Sequence, residues 1–132
     1  MAEIALPGLL VGSWRDMTFE PFAGGVEICR LIVGEPAVAL LRYAPAATVQ
    51  RHRHEGLETI MVLDGAQSDE HGDYEAGSVV FNPLGSEHSV WSESGCVILI
   101  HWERPVRFLE ASDIFVVQFT SRAVRVEPKL GN

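Results

Sequence analysis

Residues 51–65, RHRHEGLETIMVLDG, gather the side chains best suited to binding a metal. His52 and His54 are two apart, so on an extended segment both imidazoles leave the same face of a sheet and converge on one point. Gly56 reads as a tight hairpin that returns Glu58, at the head of the apolar run LETIMVL, beside the two rings as a third donor. A later stretch, GSVVFNPLGSEHSVWS, is punctuated by Gly77, Pro83 and Gly85 and puts His88 just past a turn as a fourth. Three imidazoles and one carboxylate are a borderline donor set. They suit one divalent transition metal per chain (Zn, Fe, Ni, Mn or Cu) better than Ca or Mg. Four protein donors would close a tetrahedral zinc site, whereas a six-coordinate Fe, Mn or Ni would keep positions for a ligand. The residue types leave both open.

The elements that must position these residues are strands. GVEICRLIV (25–33) and AVALLRYA (37–44) open a meander, and the histidine strand and LETIMVL follow. Asp64-Gly65 is a strong turn signal. Residues 66–76, AQSDEHGDYEA, read as a polar, solvent-facing loop with a hairpin tip at His71-Gly72-Asp73. SVVFN, SVWS and CVILIHWE supply three more strands, and VRFL, DIFVVQF and AVRVE supply two or three that close the fold. Helix signals are nearly absent, and the recurring turns argue for an all-β sandwich or barrel. No repeat or linker interrupts residues 1–132, so a single domain is expected: an N-terminal arm with strands at 8–34, a metal-site core at 36–104 and closing strands at 105–127.

The remaining candidates have structural alternatives. His71, with Asp69, Glu70 and Asp73, reads as a polar hairpin tip sooner than as a second metal loop. His101 shares a face with Glu103 and would either line the barrel or cap a strand end. Strand parity turns Trp91 away from His88, Trp102 away from His101, and Arg51 and Arg53 away from the donors. Trp14, Trp91, Trp102, Phe81 and Phe108 read as packing residues. Cys29 and Cys96 lie in apolar runs outside any CxxC and read as reduced core thiols. EICRLIV and DIFVVQF are apolar on both faces, which requires an outer cover: a second subunit, giving a homodimer, or the chain's own N-terminal arm.

Lys and Arg number 10 against 18 Asp and Glu, a formal net charge of -8, which disfavours an electrostatic grip on nucleic acid or an anionic membrane. The N-terminus has an early acid and no basic segment ahead of its short apolar patch, and no apolar run has membrane-spanning length, so a cytoplasmic protein is expected.

Arranged in order, these residues resemble the cupin superfamily, whose first motif is G-x5-H-x-H-x3,4-E-x6-G and second G-x5-P-x-G-x2-H-x3-N. His52, His54, Glu58 and Gly65 match the first, with Ala46 where its leading glycine would stand. Gly77, Pro83, Gly85 and His88 match the second, with Ser92 in place of asparagine. Over residues 36–103 the chain resembles the ChrR-like cupins, a group named for the cupin half of a zinc anti-sigma factor that also holds stand-alone oxygenase-like members. The resemblance implies a double-stranded β-helix, or jelly roll, raises the expectation of a homodimer, and implies one of two functions. One is O2-dependent oxidation or cleavage of a small carbonyl, enolate or polar aromatic ligand at the metal, with Glu58 a candidate base. The other is a sensory, regulatory cupin. No helical Cys/His cluster precedes residue 36, which disfavours a sigma-factor grip, and the intact donor set disfavours metal-independent isomerase chemistry.

Overall fold

Along AVALLRY, Ala37, Ala39, Leu41 and Tyr43 fall on one face and Val38, Leu40 and Arg42 on the other, an alternation that an extended chain satisfies. The computed structural model, which describes residues 2–109 and, as backbone, Glu110, Asp113–Gln118 and Arg125–Glu127, has a strand there and twelve strands among the described residues. They are β1 (Glu20–Ala23), β2 (Val26–Ile32), β3 (Ala37–Tyr43), β4 (Ala47–Arg53), β5 (Glu58–Asp69), β6 (Gly72–Glu75), β7 (Val79–Asn82), β8 (Glu87–Ser92), β9 (Cys96–Trp102), β10 (Arg107–Glu110), β11 (Asp113–Gln118) and β12 (Arg125–Glu127). Hydrogen-bonded neighbours run β1-β2-β3-β9-β5-β8-β4-β10-β11-β12, with β6 and β7 flanking β5. The described pairings are antiparallel, and the sheet curls into the expected all-β jelly-roll barrel. The side chains of DIFVVQF lie outside the described residues.

The curl is concentrated in β5. Its first half pairs with β7 and β9 and its second half with β6 and β8, so one strand belongs to both walls. Asp64-Gly65, expected to turn, is instead strand interior, with a register shift between Val62 and Asp64. Gly65 has φ +72°, and a β-carbon there would stand 2.1 Å from the Gly95 carbonyl oxygen. The glycine serves close backbone approach, not chain reversal.

Two further expectations change with it. Ala66–Asp69 is not a solvent-facing loop: Gln67, Ser68 and Asp69 are buried, and the hairpin tip is Glu70–His71. Gly56 does not make a hairpin, because β4 pairs with β8 and β10 and not with β5. The segment after Arg53 crosses from one wall to the other, and a β-carbon at Gly56 would come within 3.0 Å of the Glu103 β-carbon.

Val26, Ile28, Leu41, Ile60, Val62, Ile98, Ile100 and Trp102 fill the barrel. On the outer face, two short 3-10 turns, Leu9–Val11 and Ser13–Asp16, form where arm strands were expected. Leu9 and Trp14 pack there on Leu40 and Val97, with Cys29, Leu31 and Leu99 against them. The chain therefore covers the outer face of β2 itself, and that face gives no ground for a second subunit. Cys29 and Cys96 are free and face opposite sides of the sheet, and burial pushes the Cys96 thiol up to about 11. Among the described residues no helix is long and apolar enough to cross a membrane.

Ala46, at the glycine position of the first motif, keeps a left-handed backbone with φ 68°. That conformation costs an L-residue ~1–2 kcal/mol, of which glycine's freer unfolded chain gives back ~0.5–1. Ala46→Gly should raise the unfolding free energy by about 0.5–1 kcal/mol, seen as a higher urea midpoint at unchanged m-value. A lower midpoint would contradict this account of the turn.

Candidate metal centre

Strand β4 reaches the site through an irregularity. The register with β8 shifts between Val49 and His52, so Gln50 and Arg51 are both exposed and His52 returns to the inner face that Ala47 and Val49 occupy. His52 then pairs directly with His88 on β8. His54 follows the end of β4 on the same side, and Glu58 opens β5 on the opposite wall. One donor atom from each of His52, His54, Glu58 and His88 lies within 4.8 Å of the others, and all four residues are buried. The three imidazole centroids are 4.7–5.0 Å apart.

The hydrogen bonds behind the rings fix what faces the centre. His52 Nδ1–H donates to the Gln50 carbonyl at 2.8 Å, an acceptor supplied by the β4 irregularity. His54 Nδ1–H has the Ser86 carbonyl at 3.1 Å and the Ser86 Oγ at 2.9 Å, while the Ser86 hydroxyl spends its own proton on the Pro83 carbonyl at 2.6 Å. His88 Nδ1–H donates to Asp69 Oδ2 at 3.0 Å. With each Nδ1 proton committed to an acceptor, each neutral ring turns its Nε2 lone pair inward. His88 Nε2 is buried and has no hydrogen-bond partner among the described residues. His54 Nε2 lies 3.1 Å from Glu58 Oε1, two lone-pair atoms face to face. Such an arrangement needs a positive charge between them, and two donors bound ~2.1 Å from one ion stand about 3 Å apart. The cluster fits a single metal site.

The surroundings favour these protonation states. Burial holds His52 down to about 4, against its ordinary 6.5. For Glu58, burial opposes ionisation, and it takes positive charge at the imidazoles, or a cation held between them and the carboxylate, to bring the carboxyl below its usual range. Asn82 Nδ2 also donates to Glu58 Oε1 at 3.0 Å. Asp69 is likewise held low: burial is outweighed by His88, the His71 backbone N–H at 2.8 Å and the Tyr74 hydroxyl at 3.2 Å.

A cavity of about 40 Å³ adjoins His52 and Glu58, with Val49, Ile100, Trp102 and Phe108 among its apolar walls and Tyr43 and Gln67 as its polar members. Gln67 Nε2 donates to the Tyr43 hydroxyl at 3.4 Å. Trp102 and Phe108, expected as packing residues, thus also border the site, whereas Phe81 is exposed. His101 lies on the opposite face of β9 from Trp102 and does not line the cavity, and His71 is exposed in its turn. Arg53 Nε and Nη2 grip Glu87 Oε2 at 2.9 and 2.7 Å outside the barrel, and Arg51 lies 3.5 Å from the same carboxylate, so these arginines pair within the chain. Asn82, Ser86, Gln67 and Tyr43 were missed from the sequence, and Asp69 was named only with the His71 hairpin tip and not as the partner of His88. The inward parity of Gln67 and Asp69 becomes readable only once β5 is taken as unbroken.

Residues 8–105 match the ChrR Cupin-like domain. The chain belongs to the ChrR cupin-like family. This ChrR-like cupin is 34% identical over 97 residues to the anti-sigma-E factor ChrR of Cereibacter sphaeroides, covering 71% of this chain and 46% of the relative, so it spans about half that relative's length. The crystal structure of Rhodobacter sphaeroides SigE in complex with the anti-sigma ChrR aligns at TM-score 0.60 and 31% identity, over 67% of this chain and 49% of that one. An acetylacetone dioxygenase from Acinetobacter johnsonii aligns at TM-score 0.70 over 96% of this chain and 87% of that one, but at 15% identity, a likeness of fold alone.

Two outcomes are expected for this ChrR-like cupin. Asp69→Asn removes the charge that orients His88 and should weaken metal affinity ~10–100-fold in chelator competition while the fold survives; unchanged affinity would separate Asp69 from the centre. In excess chelator, His52 stays neutral when folded, down to about 4, but takes a proton when unfolded below about 6.5. Because the unfolded chain then binds more protons, stability should fall as pH drops from about 6.5 to about 4, by on the order of 3 kcal/mol in urea titrations. A flat profile would contradict the buried neutral imidazole.

Proposed function

We propose that this chain is a mononuclear metal cupin in which His52, His54, Glu58 and His88 hold one divalent transition metal and the adjoining cavity takes a small organic ligand. The observation that carries the reading is the set of three committed Nδ1–H groups, which leaves three imidazole lone pairs facing an ionised carboxylate. The donor set suits Zn, Fe, Ni or Mn.

Two readings of the centre follow. In the first it is catalytic, and the reaction class is O2-dependent oxidation or cleavage of a carbonyl or enolate compound. The metal, when bound, would supply Lewis-acid polarisation of the ligand's oxygens. The chain's own residues do the rest. The apolar walls exclude water, and burial pushes the Tyr43 phenol far up, so it stays a protonated donor. Gln67 holds that phenol by its oxygen, leaving the O–H to meet a second polar atom of the ligand. Glu58, anchored by Asn82, would accept a proton from the ligand as a base. In the second reading the same cavity reports a bound ligand to a protein partner. The identity to ChrR over the cupin-like domain favours it, since that relative is an anti-sigma factor.

The deciding experiment is metal analysis of protein purified without chelators, with coordination spectroscopy of the Fe(II)- or Co(II)-substituted form. An open five- or six-coordinate centre perturbed by added enolates supports the catalytic reading. A closed four-coordinate zinc indifferent to them supports the sensory one, and no stoichiometric metal overturns both. In the catalytic case, Glu58→Gln should retain metal and slow turnover; equal loss of metal and turnover would remove Glu58 as the base.

A further inference from the structure

Arg30 stands on the inner face of β2, opposite Ala39 of β3, where its neighbours are otherwise apolar. Its side chain is 14% exposed, and Nη1 is paired with the Glu20 carboxylate on β1. Nε and Nη2 are buried and meet no acceptor among the described residues. A lysine in this position could shed its proton, but a guanidinium cannot, so the cost of unmet charged donors persists unless an anion or water meets them.

The unmet edge is the one suited to a carboxylate. Nε and Nη2 form the side-on fork of the guanidinium. A single oxygen can satisfy both, as Glu87 Oε2 does for Arg53 at 2.9 and 2.7 Å. A niche of about 10 Å³ lies against Arg30, walled by Ile28, Ala37, Ala39 and Trp102, which is room for one oxygen-sized group. The alanines on β3 create the space. A phosphate would bring more oxygens and charge than one fork can meet, beside Glu20 and in a chain of net charge -8.

The niche lies level with the Glu58 end of β5. Ala37, at the start of β3, pairs with Trp102, which pairs with Glu58. Trp102 lines both the niche and the cavity beside His52 and Glu58. We propose that the Nε–Nη2 edge of Arg30 is a subsite for a monocarboxylate, and that the ligand of the metal cavity is a small organic acid anchored there. The second half rests on the metal-site reading above; the first does not.

The test follows the Arg30 Nε–H resonance by ¹⁵N NMR in the full chain, once in excess chelator and once with Zn(II), titrating acetate, acetamide and chloride. Acetate should shift the resonance saturably in both forms, with acetamide and chloride silent. Arg30→Gln should weaken acetate binding about tenfold or more at unchanged Zn(II) stoichiometry. Ala39→Val, which fills the niche and keeps the guanidinium, should abolish the shift. No saturable shift, or an equal response to chloride, means a water-filled niche or an adventitious ion only and overturns the subsite. Pyruvate, a carboxylate carrying a carbonyl, should then bind the Zn(II) form more tightly than the chelated form. Equal affinity overturns the link to the metal cavity, and failure of Zn(II) to bind overturns the metal reading while the acetate result in chelator stands.

Discussion

The barrel depends on the bend of β5 at Gly65, where the backbone passes the Gly95 carbonyl too closely for any β-carbon. Without that approach a twelve-residue strand would run straight along one wall. With it, the same strand delivers Glu58 to the donor cluster from one wall and Asp69 to the back of His88 from the other. The two carboxylates that matter most to the centre are therefore ends of one element. Their separation is set by the bend and by the closing of the two walls on each other, and the centre exists only in the closed barrel.

The donors were legible in the sequence because residue type and spacing are enough to nominate them. Histidines two apart, a carboxylate four residues on and a histidine behind a Pro-x-Gly turn nominate a centre before any fold is known. Strand identity was legible for a similar reason, since alternation along AVALLRY or CVILIHW has few other solutions. Asp64-Gly65 misled because a glycine required for close approach and a glycine required for a turn look the same. Once a turn was placed there, the polar Gln67 and Asp69 became loop residues and the partner of His88 was lost. The irregularity between Val49 and His52 was illegible because parity counts residues and cannot register the extra one that β4 inserts opposite β8. The 3-10 turns that cover β2 carry no period at all, so the sequence left two covers for its apolar outer face, a second subunit or the N-terminal arm.

The four donors say little about which task the cupin frame performs. The same fold is found in an anti-sigma factor and in a dioxygenase, and function resides in what surrounds the centre. In this chain the polar groups around the centre are few: the Tyr43–Gln67 pair within an apolar cavity, and Arg30 in a niche that shares Trp102 with it. All are held within a chain of net charge -8 in which, among the described residues, Arg42 and Arg53 on the outside pair with glutamates.

The Glu70–His71 turn connects this interior to the outside. The His71 backbone N–H and the Tyr74 hydroxyl hold Asp69, Asp69 holds His88, and the Glu70 carboxylate takes the Ser89 N–H at 3.0 Å, next in the chain to His88. An exposed two-residue tip is thus one carboxylate removed from a buried imidazole. Anything that docked on the tip, or was attached to it, would act on the centre from behind, without a path through the mouth of the barrel, and the centre's occupancy would in turn set how firmly that tip is held.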